Sequence, residues 1–130
     1  MTREIAYMKE ATYMNYNLTF HPNDVLVIRL YGELDHHETE KMRASISKAI
    51  LQGNVKLLIW NLEQLQFMDS SGIGLVLGRM RELRAVDGQT ILLNPSTTMQ
   101  KIFQFSGLGH CIRTGSEADV IIQARGIVNG

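Results

Sequence analysis

Apolar residues along this chain alternate between short continuous runs and helical spacing, which predicts an α/β fold. Residues 25–30 and 55–60 are predicted strands, and the second run has the unbroken apolar character of a strand that is buried on both faces. Shorter strands are expected at residues 18–20, at residues 90–93 and near Ile112. The pattern therefore predicts a mixed β-sheet of about four to five strands, packed against about four helices.

The first predicted helix begins after Asp35 and stops before Gly53. Asp35 is a favourable N-cap, and Glu38 three residues later completes the pattern of a capping box. Glycine just past a helix is a common terminator. The apolar residues of this segment share one helical face, which is expected to be buried: Met42, Ile46, Ala49 and Ile50.

The second predicted helix follows Asp69 or Ser70, either of which is a suitable cap. Leu75 lies off its apolar face and is expected to be exposed. Basic residues suit the C-terminal end of a helix dipole, and three are found before Gly88, at Arg79, Arg81 and Arg84. The expected buried face contains four apolar residues: Ile73, Val76, Leu77 and Met80.

Two further helices are predicted in the C-terminal part of the chain. Asn94 and Pro95 are expected to be the cap and first residue of one, and Ser116 is expected to cap the other, which runs to about residue 124. The first of these would bury Met99, Ile102 and Phe103. Residues 1–17 have no clear period and are predicted to be an N-terminal extension, so the single domain is expected to span residues 18–126.

Composition adds few constraints on function. The chain has 130 residues, and its 13 basic residues equal its 13 acidic residues, so no net charge favours nucleic acid or an anionic membrane. Cys111 is the only cysteine and cannot form an internal disulfide. No apolar run approaches the length of a membrane span, and the N-terminus lacks the apolar core of a secretory signal. The protein is expected to be cytoplasmic.

The segment FMDSSGIGLVLG, residues 67–78, is the best candidate for a functional site. A glycine inside a helix is about 1 kcal/mol less favourable than alanine, so three glycines here indicate close packing or function. Gly74 and Gly78, four residues apart, are expected to let the helix lie close to the sheet, which leaves Gly72 unexplained. Free N–H groups at a helix start favour an anion, so a phosphate on Ser70 would be tolerated by the fold and would change binding. The alternative is that Ser70 and Ser71 serve only as caps.

Catalytic and nucleotide-binding motifs are incomplete in this segment. A nucleophile elbow requires glycine two residues before Ser70, where Met68 stands. A phosphate-binding loop would need a lysine, and the last glycine of a dinucleotide-binding pattern comes one residue late, at Gly78. Two pairs of potential metal ligands lack the spacing of a metal site: His36 with His37, and His110 with Cys111. No catalytic residue, cofactor or metal is therefore expected.

Two motifs carry a resemblance to a known family. GELDHH at residues 32–37 and NLEQLQFMDSSGIGLVLGRM at residues 61–80 resemble the anti-sigma factor antagonists of the STAS domain family. Among these proteins the motifs are most like the sporulation type, which antagonises the anti-sigma-F factor. The resemblance extends from about residue 18 to about residue 124, and it implies a single STAS domain that is not an enzyme.

The resemblance implies a partner-switching function. The unphosphorylated antagonist would bind an anti-sigma factor that is also a serine kinase, and would thereby release the sigma factor. The kinase would use ATP to phosphorylate Ser70, which would end the binding, and a serine phosphatase of the metal-dependent type would restore it. The implied partner-binding residues are Asp35, Asp69, Ser71, Gly72 and Ile73. Asp35 would contact a basic group on the kinase, and Leu75 is a further candidate contact.

Two other functions of STAS domains stay open at this point. One is regulation of a general stress response through a sigma-B-type pathway, and the other is a regulatory module associated with a transporter. Stress-response members often have threonine at the position of Ser71, so this serine and GELDHH favour the sporulation type. The absence of an apolar span weighs against fusion to a transporter.

Overall fold

Six strands form the main sheet in a computed structural model that describes residues 10–126. The first three strands pair antiparallel and the remaining neighbours pair parallel. A second, two-stranded sheet pairs β4 (Gly32–Leu34) with β6 (Leu65–Met68) in parallel. The strands of the main sheet, in spatial order, are β1 (Glu10–Thr12), β2 (Tyr16–His21), β3 (Val25–Leu30), β5 (Leu57–Asn61), β7 (Gln89–Leu93) and β8 (Ile112–Arg113).

Within residues 10–126, four α-helices cover the two faces of this sheet. They are α1 (His36–Gly53), α2 (Ser70–Arg84), α3 (Thr97–Phe105) and α4 (Glu117–Arg125), with a short 3₁₀ helix at Gly109–Cys111. Successive strand residues point to opposite faces, so each central strand contributes to two apolar clusters. Helices α1, α2 and α3 pack on the cluster that contains Trp60, whereas α4 adds Val120 to the cluster on the other face.

The predicted α/β class with a mixed sheet and four helices is confirmed, but the predicted number of strands was too low. The expectation of a loose extension is wrong for residues 10–17, because β1 and the start of β2 belong to the sheet there. Residues 1–9 lie outside the described residues. The strand at residues 25–30 is confirmed, as are the Ser116 cap of α4 and the short strand at Ile112.

The buried face predicted for α1 is confirmed, because all four of its apolar residues are buried. The predicted end of α1 is wrong by one residue. Gly53 is the last helical residue, and Asn54 caps the helix in the left-handed conformation with φ 53°. A Cβ atom at Gly53 would lie 2.7 Å from Cε1 of Phe20, so the Phe20 ring would have to shift to admit any other residue.

The predicted start of α3 is also wrong. Ser96 is the N-cap, and its hydroxyl accepts a hydrogen bond from the backbone N–H of Met99 at 3.2 Å. Asn94 instead joins two loops, because its side chain hydrogen-bonds both the carbonyl and the N–H of Gly115, at 2.9 and 3.0 Å. Ile102, predicted to be buried, is exposed. Among residues 10–126, no helix has both the length and the apolar character required to cross a membrane.

Candidate functional site

Two helices begin side by side at one edge of the small sheet. Because β4 and β6 are parallel and Leu34 pairs with Met68, the residues that follow them, Asp35 and Asp69, are neighbours in space. The backbone N–H of Asp69 donates to the carbonyl oxygen of Leu34 at 3.3 Å. The topology therefore brings the two sequence motifs together, with one aspartate before each helix.

Each aspartate caps its own helix. Oδ1 of Asp35 accepts from the backbone N–H of Glu38 at 3.0 Å, and Oδ1 of Asp69 accepts from the backbone N–H of Ser71 at 2.9 Å. The predicted cap at Asp35 is thus confirmed. The Glu38 carboxylate accepts from the Asn15 side chain at 2.6 Å, and within residues 10–126 no hydrogen bond joins it to the N–H of Asp35, so the predicted capping box is wrong. Asp35 is exposed, and among the described residues only its Oδ1 accepts a hydrogen bond, so the second oxygen is available to a partner.

Ser70 is the first residue of α2, and its side chain is exposed to solvent. Because Asp69 is the cap, the Ser70 hydroxyl has no capping task. The side-chain hydrogen bonds at this helix start involve Asp69, Ser71 and Thr39, and none within residues 10–126 involves the hydroxyl of Ser70. This hydroxyl is consequently free to react with or contact another molecule.

Unlike Ser70, Ser71 is held in place by hydrogen bonds of its side chain. It is half-buried, and its hydroxyl makes a short hydrogen bond to Oδ1 of Asp69. Oγ1 of Thr39, on α1, lies 3.0 Å from Oγ of Ser71 and 3.0 Å from the carbonyl oxygen of His36. These contacts connect the first turns of the two helices.

The carboxyl group of Asp69 is favoured in its charged form. The hydrogen bond from the Ser71 hydroxyl lowers the pKa of Asp69 most, and the backbone N–H of Ser71 lowers it further. The charge and backbone of His36 act in the same direction. A negative charge therefore stands directly beside Ser70 at neutral pH.

The three glycines of α2 have different surroundings. Gly72 is buried, and a Cβ atom there would lie 2.1 Å from Cγ and Sδ of Met68. At Gly74 and Gly78 a Cβ atom would meet no atom of the described chain within 4 Å, beyond the turns of its own helix. The prediction that Gly74 and Gly78 allow close packing on the sheet is therefore wrong, and Gly72 has this role.

The buried face of α2 also differs from the predicted one. Leu75 is only 4% exposed, so the expectation that it is exposed is wrong, whereas Leu77 is 37% exposed. The reason is that the inward face starts at Gly72, a position without a hydrophobic side chain to mark it. That face consists of Gly72, Leu75, Val76, Arg79 and Leu83. Buried Arg79 pairs with Glu82 at 3.0 Å and is not a solvated residue of the helix end.

The predicted site residues lie together but differ in access to solvent. Asp35 and Ser70 are exposed, Gly72 is buried, and three are half-buried: Asp69, Ser71 and Ile73. A shallow groove of about 220 Å³ runs between the first turns of the two helices. Its lining residues are His36, Thr39, Glu40, Arg43, Ser71, Gly74 and Leu75.

Phe67 is an exposed apolar residue near this site that the sequence analysis did not identify. It lies on β6 before Asp69, and 54% of its surface is exposed. The register between β4 and β6 shifts by one residue between Gly32 and Glu33, which interrupts the alternation of inward and outward side chains. An interrupted alternation of this kind follows from strand pairing and is not visible in the sequence.

Comparison with known proteins assigns these features to a family. The family model described as "STAS domain" matches residues 15–119. An anti-sigma F factor antagonist of Lysinibacillus sphaericus is 62% identical over 117 residues, which cover 90% of this chain and 100% of that protein.

Two solved structures have the same fold at high identity. The anti-sigma factor antagonist SpoIIAA in its unphosphorylated form is 60% identical, with a TM-score of 0.82, and the match covers 88% of this chain and 99% of that one. The Bacillus cell fate determinant SpoIIAA in its phosphorylated form is 59% identical, with a TM-score of 0.75, and the match covers 85% and 99%. The match to the family model spans both sequence motifs, at residues 32–37 and 61–80.

Proposed function

This chain belongs to the STAS domain family. We propose that it is an antagonist of an anti-sigma factor of the sigma-F type, and that phosphorylation of Ser70 controls its binding. The observation that carries the proposal is the exposed Ser70 hydroxyl at the start of α2, in a chain that matches the full length of an anti-sigma F factor antagonist. The unphosphorylated form binds an anti-sigma factor and releases the sigma factor. In this role the chain is a regulator and not an enzyme.

The proposed partner is an anti-sigma factor that is also a serine kinase. Oγ of Ser70 attacks the γ-phosphorus of ATP held by the kinase, forming an O–P bond as the bond to the ADP leaving group breaks. The hydroxyl proton passes to the kinase or to solvent. A serine phosphatase of the metal-dependent type then hydrolyses the phosphate and restores the hydroxyl.

Electrostatics explain how phosphorylation would change binding without unfolding the domain. A phosphate adds a charge of about −1.5 to −2 and lies at the positive end of the α2 dipole, which favours it. On the outer surface the same phosphate stands beside the charged Asp69, close to Asp35. A partner that fits the neutral hydroxyl must then accommodate concentrated negative charge, which weakens the complex.

The exposed face of α2 supports a protein partner. Gly74, Leu77 and Gly78 follow Ser70 at helical spacing, so they share its outward face. The two glycines gain no packing within the described chain, although each is less favourable in a helix than alanine by about 1 kcal/mol. We infer that they allow the backbone of the partner to approach closely, with exposed Phe67 as a neighbouring apolar contact.

The remaining proposed contacts come from the predicted binding set. Asp35 has a free carboxylate oxygen for a basic group of the kinase. The solvent-exposed parts of Asp69, Ser71 and Ile73 contribute to the proposed contact with the kinase. Buried Gly72 allows the start of α2 to lie close to Met68. A general stress-response role and a transporter-associated role have weaker support, because the 62% identity is to an anti-sigma F factor antagonist.

Displacement of the sigma factor tests this function. A complex of a sigma-F-type sigma factor with its anti-sigma kinase is titrated with the unphosphorylated protein, and released sigma factor is measured by size-exclusion chromatography. We expect release by the unphosphorylated protein and by Ser70→Ala, and none by the Ser70 phosphoprotein. Equal behaviour of the two phosphorylation states, or no release by either, would refute the proposal.

A further inference from the structure

We propose that Thr39 is a positioning residue for phosphorylation: through Ser71 and Asp69 it fixes the backbone on which Ser70 is presented. The inference rests on the proposed function. Thr39 lies on α1, it is only 4% exposed, and Ser71 is 32 residues further along the chain. Its hydroxyl therefore connects two elements that the sequence separates.

The hydrogen bonds around Ser71 have a defined direction. Asp69 is held in its charged form, so its carboxylate accepts and the Ser71 hydroxyl donates. Oγ of Ser71 is then available as an acceptor for the proton of Thr39, 3.0 Å away. The carbonyl oxygen of His36, in the same turn of α1, is at the same distance from Oγ1 of Thr39, so the one hydroxyl proton of Thr39 is shared between this carbonyl and Oγ of Ser71.

This arrangement fixes both neighbours of Ser70. Asp69 is held by the backbone of Leu34 and by Ser71, and Ser71 is held by Asp69 and Thr39. The side chain of Ser70 makes no hydrogen bond of its own within the described residues, so its position follows from the residues on either side. In-line phosphoryl transfer requires accurate placement of the attacking oxygen, and small displacements greatly reduce the rate.

The arrangement also distinguishes the two serines. The hydroxyl of Ser71 donates its proton to Asp69 and accepts a hydrogen bond from Thr39, and Ser71 is half-buried. The hydroxyl oxygen of Ser70 is exposed and makes neither kind of hydrogen bond within the described residues. Only Ser70 can bring a lone pair to an incoming phosphorus atom without breaking this set of hydrogen bonds.

The test compares Thr39→Val with Thr39→Ser. Valine has nearly the shape of threonine but no proton to donate, whereas serine keeps the hydroxyl. Phosphorylation of the full chain by a sigma-F-type anti-sigma kinase and ATP is followed under steady-state conditions. We expect Thr39→Val to lower kcat by about tenfold with KM changed by less than about twofold, and Thr39→Ser to stay within about twofold of the wild type.

Ser71→Ala provides a second, independent variant if Thr39→Val folds poorly. Since both substitutions remove the hydrogen bond between Thr39 and Ser71, we expect the double variant to be no slower than the slower single variant. A wild-type kcat for Thr39→Val, an effect on KM alone, or additive effects in the double variant would overturn the inference. Absence of phosphate on wild-type Ser70 would overturn the proposed function and this inference together. If the wild type is phosphorylated normally, the rates of the Thr39 variants test this inference alone.

Discussion

At the residue scale, the three residues Asp69, Ser70 and Ser71 have separate tasks. Asp69 caps α2, and Ser71 ties that cap to α1 through Thr39. Ser70 is left exposed and without a hydrogen bond from the described chain to its hydroxyl. The sequence predicted that Asp69 or Ser70 caps the helix, and the choice between them depends on the backbone conformation at Asp69.

Replacing Ser70 by aspartate should weaken kinase binding by roughly tenfold, about 1.4 kcal/mol, because a charge is added beside Asp69. The matched control is Ser70→Asn, which has a similar size and no charge and should bind more tightly than Ser70→Asp. Isothermal titration calorimetry gives both dissociation constants. Equal affinity of the two variants would argue against charge as the cause of release. The melting temperature of Ser70→Asp should stay close to that of the wild type, since a helix start tolerates an anion.

Alanine substitutions at Gly72 and Gly74 should have opposite effects on stability. Gly72→Ala should destabilise the protein by about 1 to 3 kcal/mol, because its Cβ would displace the buried Met68 side chain. Gly74→Ala should stabilise it by roughly 0.5 to 1 kcal/mol, because alanine favours the helix and the space is open. Denaturant unfolding measures both changes.

If the outer face of α2 meets the kinase closely, the same Gly74→Ala variant should also bind more weakly in spite of its greater stability. Full binding by that variant would remove Gly74 from the proposed docking face. Stabilisation by Gly72→Ala would show that Met68 does not restrict this position.

At the element scale, the sequence predicted those elements whose apolar pattern is strong. The strand Val25–Leu30 and the buried face of α1 follow from such patterns. The unpredicted strands β1 and β4 have only three residues each, so their formation depends on the pairing partner rather than on a period. The face of α2 was predicted wrongly because it includes Gly72 and Arg79, neither of which is apolar in the sequence.

An ion pair connects helix α4 to the sheet, and its contribution to the free energy of unfolding is expected to depend on pH. The Arg29 guanidinium donates from Nε and Nη2 to the two oxygens of Glu117, at 2.8 and 2.7 Å. The two side chains are 28% and 20% exposed, so solvent screens this pair less than an open surface pair. Burial raises the pKa of Glu117, but hydrogen bonds from Arg29 and Asn61 and the charge of Arg29 outweigh it, and the pKa is lowered overall.

Glu117→Gln should therefore lower the free energy of unfolding at neutral pH, by roughly 1 to 3 kcal/mol. Because the folded-state pKa is lowered, this contribution is fully present above the ordinary value of 4.5 and is lost as the pH falls through the folded-state pKa. Urea unfolding of both proteins from pH 7 downward should show a difference that shrinks below about pH 4.5. A difference that is constant across this range would contradict the assigned role of the Glu117 charge.

At the scale of the whole molecule, topology assembles the site. The parallel pairing of β4 with β6 brings Asp35 next to Asp69 and allows Thr39 to reach Ser71. The motifs that contain these residues are recognisable in the sequence. Their juxtaposition is not, because it depends on two short strands that pair only in the folded chain. Phe67 was missed for the same reason, since its exposure follows from the register shift in this small sheet.

The central claim, that Ser70 is the phosphate acceptor, is tested most directly by intact-mass spectrometry with site mapping. The protein is incubated with a sigma-F-type anti-sigma kinase and ATP, with Ser70→Ala and Ser71→Ala as matched samples. The account predicts one added phosphate, mapped to Ser70 in the wild type and in Ser71→Ala, and none on Ser70→Ala. A phosphate mapped to another residue, or one that persists on Ser70→Ala, would contradict the account, as would a wild-type protein that gains no mass.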